Sequence, residues 1–378
     1  MKKRLFWVGK NSPPNESVTV LDVEKMTNYR FAPVHNSQYR EVKCIEKPIS
    51  DYANWPFLVD ELLRLGSESC TFELLLSLGD PKFSIATFYK QIFKRTKGKC
   101  KILKVENVND MGGTKITFSV QRKVEELSKN WTFGVIWDGN GKEKLIDFIA
   151  SIDDQYIDDE AIEILVCGPK IPLDYDITFI ESPCEAEELS NISQKKNLIV
   201  KHARYENLCI VHNRYKLDRN FISSFIEFGY DFEMCIVPQV LHSTGERVPD
   251  WVTQASDHLL TKNYWLDYGE YSPFQYSPGG LTIAKKAILE TTPWNELATW
   301  NMAEDVELSQ RLRNEGLVYK LNDITTARVL SLRQEIINDF HPASIESYYR
   351  NVDQFGIVSK RSKLLNRFKS FIRRKVLN

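Results

Sequence analysis

Two neighbouring carboxylates, Glu304 and Asp305, stand directly before a segment with helical spacing. Leu308 and Leu312 recur four residues apart, which predicts a helix over residues 305–314 with its apolar face on a sheet. The two carboxylates would then lie at the amino-terminal end of this helix, where the helix dipole favours their ionised form. Because an ionised carboxylate can take the proton of an attacking hydroxyl group, the spacing indicates general-base chemistry here.

Strands and helices alternate in the stretch that precedes these carboxylates. The apolar pattern predicts strands over 131–137, 162–166 and 208–211, separated by helices over 143–152 and 194–203. Strands that alternate with helices pair in parallel, and the carboxyl ends of parallel strands open onto a ligand crevice. We therefore expect the functional residues at those strand ends.

Residues 1–128 predict a separate, small α/β domain. Strands are expected over 5–8, 71–78, 101–108 and 114–120, and helices over 57–65 and 85–93, with Asn109–Gly113 as the turn of a hairpin. The polar segment 124–130 predicts a linker, so that a second domain spans 129–345 and a tail spans 346–378. The order of elements in the first domain is weakly similar to the trailing half of a Rossmann-like methyltransferase. A glycine-rich loop for the methyl donor is missing, so this part is predicted to have a structural or docking role.

The charge balance, the cysteine spacing and the lengths of the apolar stretches exclude several classes of protein. The 50 Lys and Arg residues balance 51 Asp and Glu residues, so the sequence predicts no nucleic-acid partner. The seven cysteines form no C-x-x-C pair, which indicates a reducing compartment without a disulfide framework or zinc knuckle. The sequence predicts no signal peptide, because the apolar stretch Leu5–Val8 is far shorter than the apolar region that such a peptide needs. It also predicts no membrane-spanning helix, because no window approaches about 18 apolar residues. A cytoplasmic protein is therefore expected.

Three blocks between residues 131 and 330 resemble the GT-A glycosyltransferase fold, especially its family 2-like enzymes. Residues 133–170 resemble the opening of that fold, with a strand, a helix ending in Ser151-Ile152-x-x-Gln155, and a second strand. Residues 193–214 are similar to the next block, a helix followed by a third strand. Residues 276–316 are similar to the acceptor and catalytic region, with a Gly-Gly pair before an apolar helix and then the acidic pair.

This resemblance implies a fold, an activity and a set of site residues. The fold is α/β, a GT-A domain with a mostly parallel, Rossmann-like sheet. The activity is that of a nucleotide-sugar-dependent hexosyltransferase, which transfers a sugar to a saccharide hydroxyl, with inversion, in cell-surface glycan or polysaccharide biosynthesis. The implied site residues are Asp305 as base with Glu304 beside it, Asp138 and Lys196 as donor contacts, and Gly279, Gly280 and Trp300 along the acceptor groove.

One departure from the family pattern affects the donor site. Where the family has D-x-D after the third strand, this chain has His212-Asn213-Arg214, so the usual carboxylate ligands of a divalent metal are absent. Two routes remain for neutralising the donor diphosphate. His212 and other ligands could hold Mn²⁺ or Mg²⁺, or the planar guanidinium of Arg214 could bind the phosphate oxygens directly. The same departure leaves a second hypothesis open, a scaffold or binding protein with a GT-A-like domain that has lost turnover.

The last twenty residues predict a partner of a different kind. Residues 359–378 contain eight Lys and Arg residues and no acid, and helical spacing gathers their apolar side chains on one side. A basic amphipathic helix of this kind can lie on an anionic membrane surface. The expected location is thus cytoplasmic and peripheral, at the inner face of the plasma membrane, with a saccharide or lipid-linked saccharide as acceptor. The alternative is a helix packed on the protein with a solvated basic face.

Overall fold

The structure is a computed structural model. It describes residues 5–11, 18–21, 38–52, 54–78, 83–108, 113–123, 126–155, 161–182, 191–256, 261–299 and 302–351. Trp300 and nearly all of the predicted tail lie outside these ranges. Strands and helices alternate, and the α/β class with a mostly parallel sheet that the sequence predicts is confirmed. In the described part, no helix has the length and apolar character needed to cross a bilayer.

The strands and helices are numbered in chain order. The strands are β1 (Leu5–Val8), β2 (Val18–Leu21), β3 (Tyr39–Cys44), β4 (Gly66–Leu76), β5 (Cys100–Val108), β6 (Gly113–Gln121), β7 (Trp131–Ile136), β8 (Ile162–Cys167), β9 (Thr178–Ile180), β10 (Asn207–His212), β11 (Tyr215–Leu217), β12 (Met234–Ile236), β13 (Gln239–Leu241), β14 (Val252–Gln254), β15 (Asn263–Trp265), β16 (Gln275–Tyr276), β17 (Leu281–Lys285), β18 (Lys320–Leu321), β19 (Ala327–Val329) and β20 (Phe340–Pro342). The helices are α1 (Trp55–Leu65), α2 (Ile85–Arg95), α3 (Lys142–Asp153), α4 (Ile192–His202), α5 (Phe221–Phe228), α6 (Lys286–Thr291), α7 (Glu304–Asn314), α8 (Gln334–Asn338) and α9 (Ile345–Asn351).

The first sheet has the order β2-β1-β3-β4-β6-β5 within the described residues. Its first four strands pair in parallel. Strand β6 lies between β4 and β5 and runs antiparallel to both, so the hairpin predicted from the sequence is confirmed. Phe72 on β4 stacks on Phe118 of β6 with ring centroids 4.9 Å apart, and this face of the sheet forms its core.

The carboxyl ends of β1 and β3 hold a carboxylate that belongs to the chain itself. The Glu46 carboxylate accepts hydrogen bonds from Trp7 Nε1, from the Lys10 and Asn11 backbone N–H groups, and from Asn11 Nδ2. Gly9 has φ +135°, and a Cβ atom there would lie 2.3 Å from the Glu46 Cδ. A side chain at residue 9 would therefore push Glu46 out of this position.

The second sheet has the order β18-β12-β17-β10-β7-β8-β9. Strands β10, β7, β8 and β9 pair in parallel, as the sequence predicts, whereas β17 runs antiparallel to its neighbours β10 and β12. Residues 281–285 were expected to begin a helix, and this expectation was wrong because they form β17, with α6 starting only at Lys286. All five residues of β17 are buried, and so short an apolar run satisfies the period of a buried strand as well as that of a helix.

Helix α1 connects the two sheets through its packing. All eleven of its residues are buried, and the Phe57 ring lies 5.9 Å from the Trp251 ring and 5.5 Å from the Tyr271 ring. Asp60 forms ion pairs with Arg95 of α2 and with Lys320 of β18. One hydrophobic cluster accordingly contains side chains from both sheets.

Candidate active site

The antiparallel direction of β17 brings two predicted site segments together at the carboxyl edge of the second sheet. Because β17 is antiparallel to β10, its amino end lies beside the carboxyl end of β10, where Val211 pairs with Leu281. The His212 backbone N–H donates a 3.0 Å hydrogen bond to the carbonyl oxygen of Gly280. The predicted acceptor glycines thus lie directly beside the predicted donor tripeptide.

Gly279 and Gly280 are needed for the close approach of side chains on either side of them. A Cβ atom at Gly280 would lie 2.5 Å from Tyr215 Oη and 3.1 Å from Arg214 Nη2. A Cβ atom at Gly279 would lie 2.7 Å from Glu304 Oε1 and 3.2 Å from the Asp305 Cβ. The glycine pair therefore separates Arg214 on one side from the two carboxylates on the other.

Asp305 is positioned by the start of α7 and by this glycine pair. Its Oδ2 accepts a 2.8 Å hydrogen bond from the Gly279 N–H, and its Oδ1 accepts one of 2.9 Å from the Val306 N–H. The residue before the helix, Ala303, has φ 51° and ψ 51°, in the left-handed region. Such a conformation costs a non-glycine residue on the order of 1 kcal/mol and is common at functional sites.

The surroundings of Asp305 make its carboxylate more basic than usual. Burial raises its pKa from 3.8 to about 6, and the negative charge of Glu304 adds to this rise, while Lys196 and the two backbone hydrogen bonds oppose it. The sequence predicts that the helix dipole favours the ionised form, whereas burial and the neighbouring acid act in the opposite direction on the pKa. A pKa of about 6 leaves the group mostly ionised at neutral pH.

Lys196, predicted as a donor contact, is fully buried beneath the glycine pair. Its Nζ donates to the Gly279 carbonyl at 2.8 Å and to Glu304 Oε1 at 3.1 Å, and it lies 5.2 Å from the centre of the Trp294 ring. The ammonium group thus neutralises Glu304 and fixes the backbone of Gly279. Its role as a donor contact stays a prediction.

The tripeptide 212–214 begins at the last residue of β10 and continues into a turn. His212 Nε2 and Arg214 Nε are both buried and have no hydrogen-bond partner among the described residues. Burial lowers the pKa of His212 well below its usual value, and the charges of Lys196 and Arg214 lower it further, so the imidazole is neutral at pH 7. Asn213 Nδ2 donates a 2.8 Å hydrogen bond to the carbonyl of Asn140, in the loop after β7.

Asp138 lies at the same edge, immediately after β7, and its side chain is exposed. Its Oδ1 accepts a 2.9 Å hydrogen bond from the Asn140 N–H, so the carboxylate stabilises the loop that Asn213 also contacts. The structure therefore brings together all of the predicted site residues that it describes. Trp300 lies outside the described residues, and its predicted acceptor role is untested.

Comparison with known proteins gives similarity in fold at low sequence identity. No protein-family model matches the sequence, and no curated protein matches it. The crystal structure of S. aureus TarS 1–349 is similar at 13% identity over 53% of this chain and 60% of that chain, with a TM-score of 0.37. The same TarS fragment in complex with UDP-GlcNAc matches at 13% identity over 59% of this chain and 64% of that chain, with a TM-score of 0.39.

A structure of GalNAc-T7 with UDP, GalNAc and Mn²⁺ matches at 12% identity over 56% of this chain and 44% of that chain, with a TM-score of 0.43. This chain thus covers less than two thirds of each of these structures. Similarity of this degree concerns the fold and assigns no function, and it does not single out family 2.

The donor atoms at this edge do not fit a divalent metal ion. Within the described ranges, no group of three or more His, Cys, Asp or Glu side chains could hold one. His212, the predicted metal ligand, has the cations Lys196 and Arg214 as its charged neighbours, and a divalent cation would be repelled there.

Two tyrosines complete the site and were not singled out from the sequence. Tyr215 packs against Gly280 and donates a 2.9 Å hydrogen bond to Gln239 Oε1. Burial raises the pKa of Tyr276 well above its usual value, and the nearby charge of Asp305 contributes to this rise. The position of Tyr215 directly after the tripeptide was a usable signal, whereas nothing in the local sequence distinguishes Tyr276.

Proposed function

We propose that the protein is a glycosyltransferase that moves a sugar from a nucleotide-sugar donor to a hydroxyl group of a saccharide acceptor. The observation that carries this proposal is the position of the Asp305 carboxylate beside Gly279, next to the carboxyl end of β10 with its tripeptide 212–214. The sequence resemblance to GT-A enzymes supports the same assignment. The donor diphosphate would lie against residues 212–214 and the acceptor hydroxyl against Asp305.

Asp305 has the properties that a base for this reaction needs. Each of its carboxylate oxygens accepts one backbone N–H, and each retains a further lone pair for the acceptor hydroxyl. A pKa of about 6 keeps the group ionised at neutral pH and makes it a better proton acceptor than an ordinary aspartate. The acceptor oxygen would attack the anomeric carbon opposite the leaving diphosphate, as its proton passes to Asp305, and the product would have inverted configuration.

The finer parts of this proposal rest on the sequence resemblance and on the tail. They are a hexosyl donor, a saccharide or lipid-linked saccharide acceptor, and a role in cell-surface glycan or polysaccharide assembly. The basic segment 359–378 would bring the enzyme to an anionic membrane at the cytoplasmic side. These residues lie outside the described ranges, so membrane attachment stays a prediction from composition.

A donor panel tests the proposed activity. Purified protein is incubated with UDP-, GDP-, CDP- and dTDP-sugars and with oligosaccharide acceptors, and release of the nucleoside diphosphate is measured. We expect turnover with one class of donor, stimulated by an acceptor. No release and no nucleotide binding with any donor would contradict the proposal and favour the scaffold hypothesis, which the missing D-x-D supports.

A further inference from the structure

Two side-chain nitrogen atoms at the carboxyl edge of the second sheet have no hydrogen-bond partner among the described residues. One is Arg214 Nε, which always carries a proton, and the other is His212 Nε2 two residues earlier, which donates in one tautomer of the imidazole. An unpaired buried polar atom is destabilising, so two of them on one short turn are unusual in a folded protein. Both residues are partly exposed as a whole, and the turn thus lies at the surface of the crevice.

The charges around this turn favour an anion. Lys195 Nζ donates a 3.0 Å hydrogen bond to the carbonyl oxygen of Trp137, just after β7, and the next residue, Lys196, donates one of 2.8 Å to the carbonyl oxygen of Gly279. Of the acids at this edge, Glu304 is paired with Lys196, Asp305 is hydrogen-bonded on the far side of the glycine pair, and the exposed Asp138 accepts a hydrogen bond from the Asn140 N–H. Arg214 is therefore the cation of this turn; its side chain contacts the neutral Tyr215, and no carboxylate of the described residues forms an ion pair with it.

We infer that Arg214 and His212 bind the diphosphate of the donor directly, with no divalent cation between them and the phosphate oxygens. This inference rests on the proposed glycosyl transfer for the identity of the ligand as a nucleoside diphosphate. The guanidinium supplies a fixed positive charge and a planar pair of donors that match two phosphate oxygens, and His212 adds one further hydrogen bond in the tautomer that is protonated at Nε2.

The same contacts would act on the leaving group during transfer. The bond between the anomeric carbon and the diphosphate oxygen breaks, and its electron pair stays on that oxygen. The new bond forms from the acceptor oxygen to the anomeric carbon, and the hydroxyl proton passes to Asp305. Arg214 stabilises the negative charge that develops on the diphosphate, which is the task a metal ion performs where carboxylate ligands are present.

Binding of inorganic pyrophosphate and of UDP, GDP, ADP and CDP to the full-length protein tests this inference. Isothermal titration calorimetry is performed after EDTA treatment and again with added Mn²⁺ or Mg²⁺. We expect at least one probe to bind with EDTA present, and added metal to change its affinity by less than about twofold. Arg214→Gln should weaken binding about 10- to 100-fold, and Arg214→Lys, which keeps the charge but loses the planar fork, by less.

The matched control is Arg219→Gln, five residues further along the chain. Arg219 is 64% exposed and faces Asp154 at 3.9 Å, so its loss should leave binding unchanged. Thermal unfolding of each variant shows whether it is folded. Binding that requires Mn²⁺ or Mg²⁺, wild-type affinity in Arg214→Gln, or no binding of any probe would overturn the inference.

The outcomes also separate this inference from the proposed function. Turnover that EDTA abolishes would keep the glycosyltransferase and overturn metal-free binding. Binding that resists EDTA and depends on Arg214, without turnover of any donor, would keep the anion site and contradict the glycosyltransferase.

Discussion

Both sheets have a crevice at the carboxyl ends of their parallel strands, but the two crevices differ in whether their hydrogen-bonding side chains are paired. In the first sheet β2 and β3 lie on opposite sides of β1, and the Glu46 carboxylate at the carboxyl ends of β1 and β3 accepts hydrogen bonds from Trp7, Lys10 and Asn11. In the second sheet the corresponding edge leaves His212 Nε2 and Arg214 Nε without hydrogen-bond partners among the described residues. Topology alone predicts a ligand crevice at both places, but of the side-chain nitrogens described at the two edges, these two are the ones left for a ligand.

Comparison of the two edges indicates that the hydrogen-bond balance of a strand end decides whether it can serve as a binding site. Glu46 satisfies the donors of its edge from within the chain, so an external anion would have to displace it. Asp305 also accepts two backbone hydrogen bonds, yet it lies beside unsatisfied donors and across a glycine pair from a cation. Asp305 and Glu46 have similar backbone contacts, but loss of the Asp305 carboxylate should mainly lower turnover, whereas loss of the Glu46 carboxylate should lower stability.

Replacement of Asp305 by Asn should have the largest effect on turnover. An amide cannot take the hydroxyl proton, so kcat should fall about 100- to 10,000-fold while nucleotide affinity stays within about threefold. Initial rates and calorimetric titrations of the variant measure both quantities. Glu46→Gln is the matched control, with turnover expected at the wild-type level. A rate of Asp305→Asn near that of the wild type would remove the residue as base.

Replacement of Lys196 by Met should produce the largest loss of stability. Lys196 is 0% exposed and its partner Glu304 is 13% exposed, so the variant leaves a partly buried carboxylate without its cation. We expect the free energy of unfolding in urea to fall by about 3–5 kcal/mol. Lys286→Met serves as the control, because Lys286 is 22% exposed and pairs with the exposed Glu290, and it should cost about 1 kcal/mol or less. Equal losses in the two variants would show that the crevice does not depend on the buried pair.

Replacement of Glu46 by Gln should cost less, about 1–2 kcal/mol, because an amide keeps one acceptor oxygen but turns an NH₂ group toward some of the donors. Burial acts to raise the pKa of Glu46, but the hydrogen bonds from Trp7, Lys10 and Asn11 outweigh it and lower the pKa. This stabilisation is therefore present above the unfolded pKa near 4.5 and is lost as the pH falls through the lower folded value. Urea unfolding at pH 7 and near pH 3 should show the difference between wild type and variant shrinking in acid. A constant difference would contradict the contribution of charge.

The smallest effect concerns the pH dependence of turnover. Deprotonated Asp305 is the active form, so kcat should rise with pH through an apparent pKa of about 6. Glu304→Gln removes a negative charge that raises this pKa and leaves the charge of Lys196 unbalanced, and both changes should move the rising limb to lower pH. Rates measured from pH 4.5 to 8.5 give the two profiles. A limb that does not move in the variant would show that the limb belongs to another group.

The sequence predicts well those elements whose signal is local. Strands β7, β8 and β10 and helices α3, α4 and α7 all appear where the apolar spacing places them, with boundaries that differ by at most two residues. Gln155, part of the family-like motif at the end of α3, has a structural role that its neighbours make possible. Its Nε2 donates to the carbonyls of Ser151 and Asp218, and its Oε1 accepts from the Ile222 N–H, which joins α3 to α5.

Features that depend on distant partners were not predictable. Lys196 is basic and lies near the start of a helix, so the sequence favours an exposed donor contact. Its burial depends on Glu304, a partner that lies 108 residues away in the sequence. Glu46 lies in a stretch without clear periodicity, and its partners are 35 to 39 residues distant. The direction of β17 is likewise set by its place between β10 and β12 rather than by its own five residues.

The burial of α1 limits how this chain can be divided for study. A fragment that begins at residue 129 would expose the rings of Trp251 and Tyr271 to water where Phe57 now covers them. It would also deprive Lys320 of Asp60, its carboxylate partner across the boundary. Residues 129–351 produced alone should thus aggregate, and recombinant protein for activity assays should include the amino-terminal third.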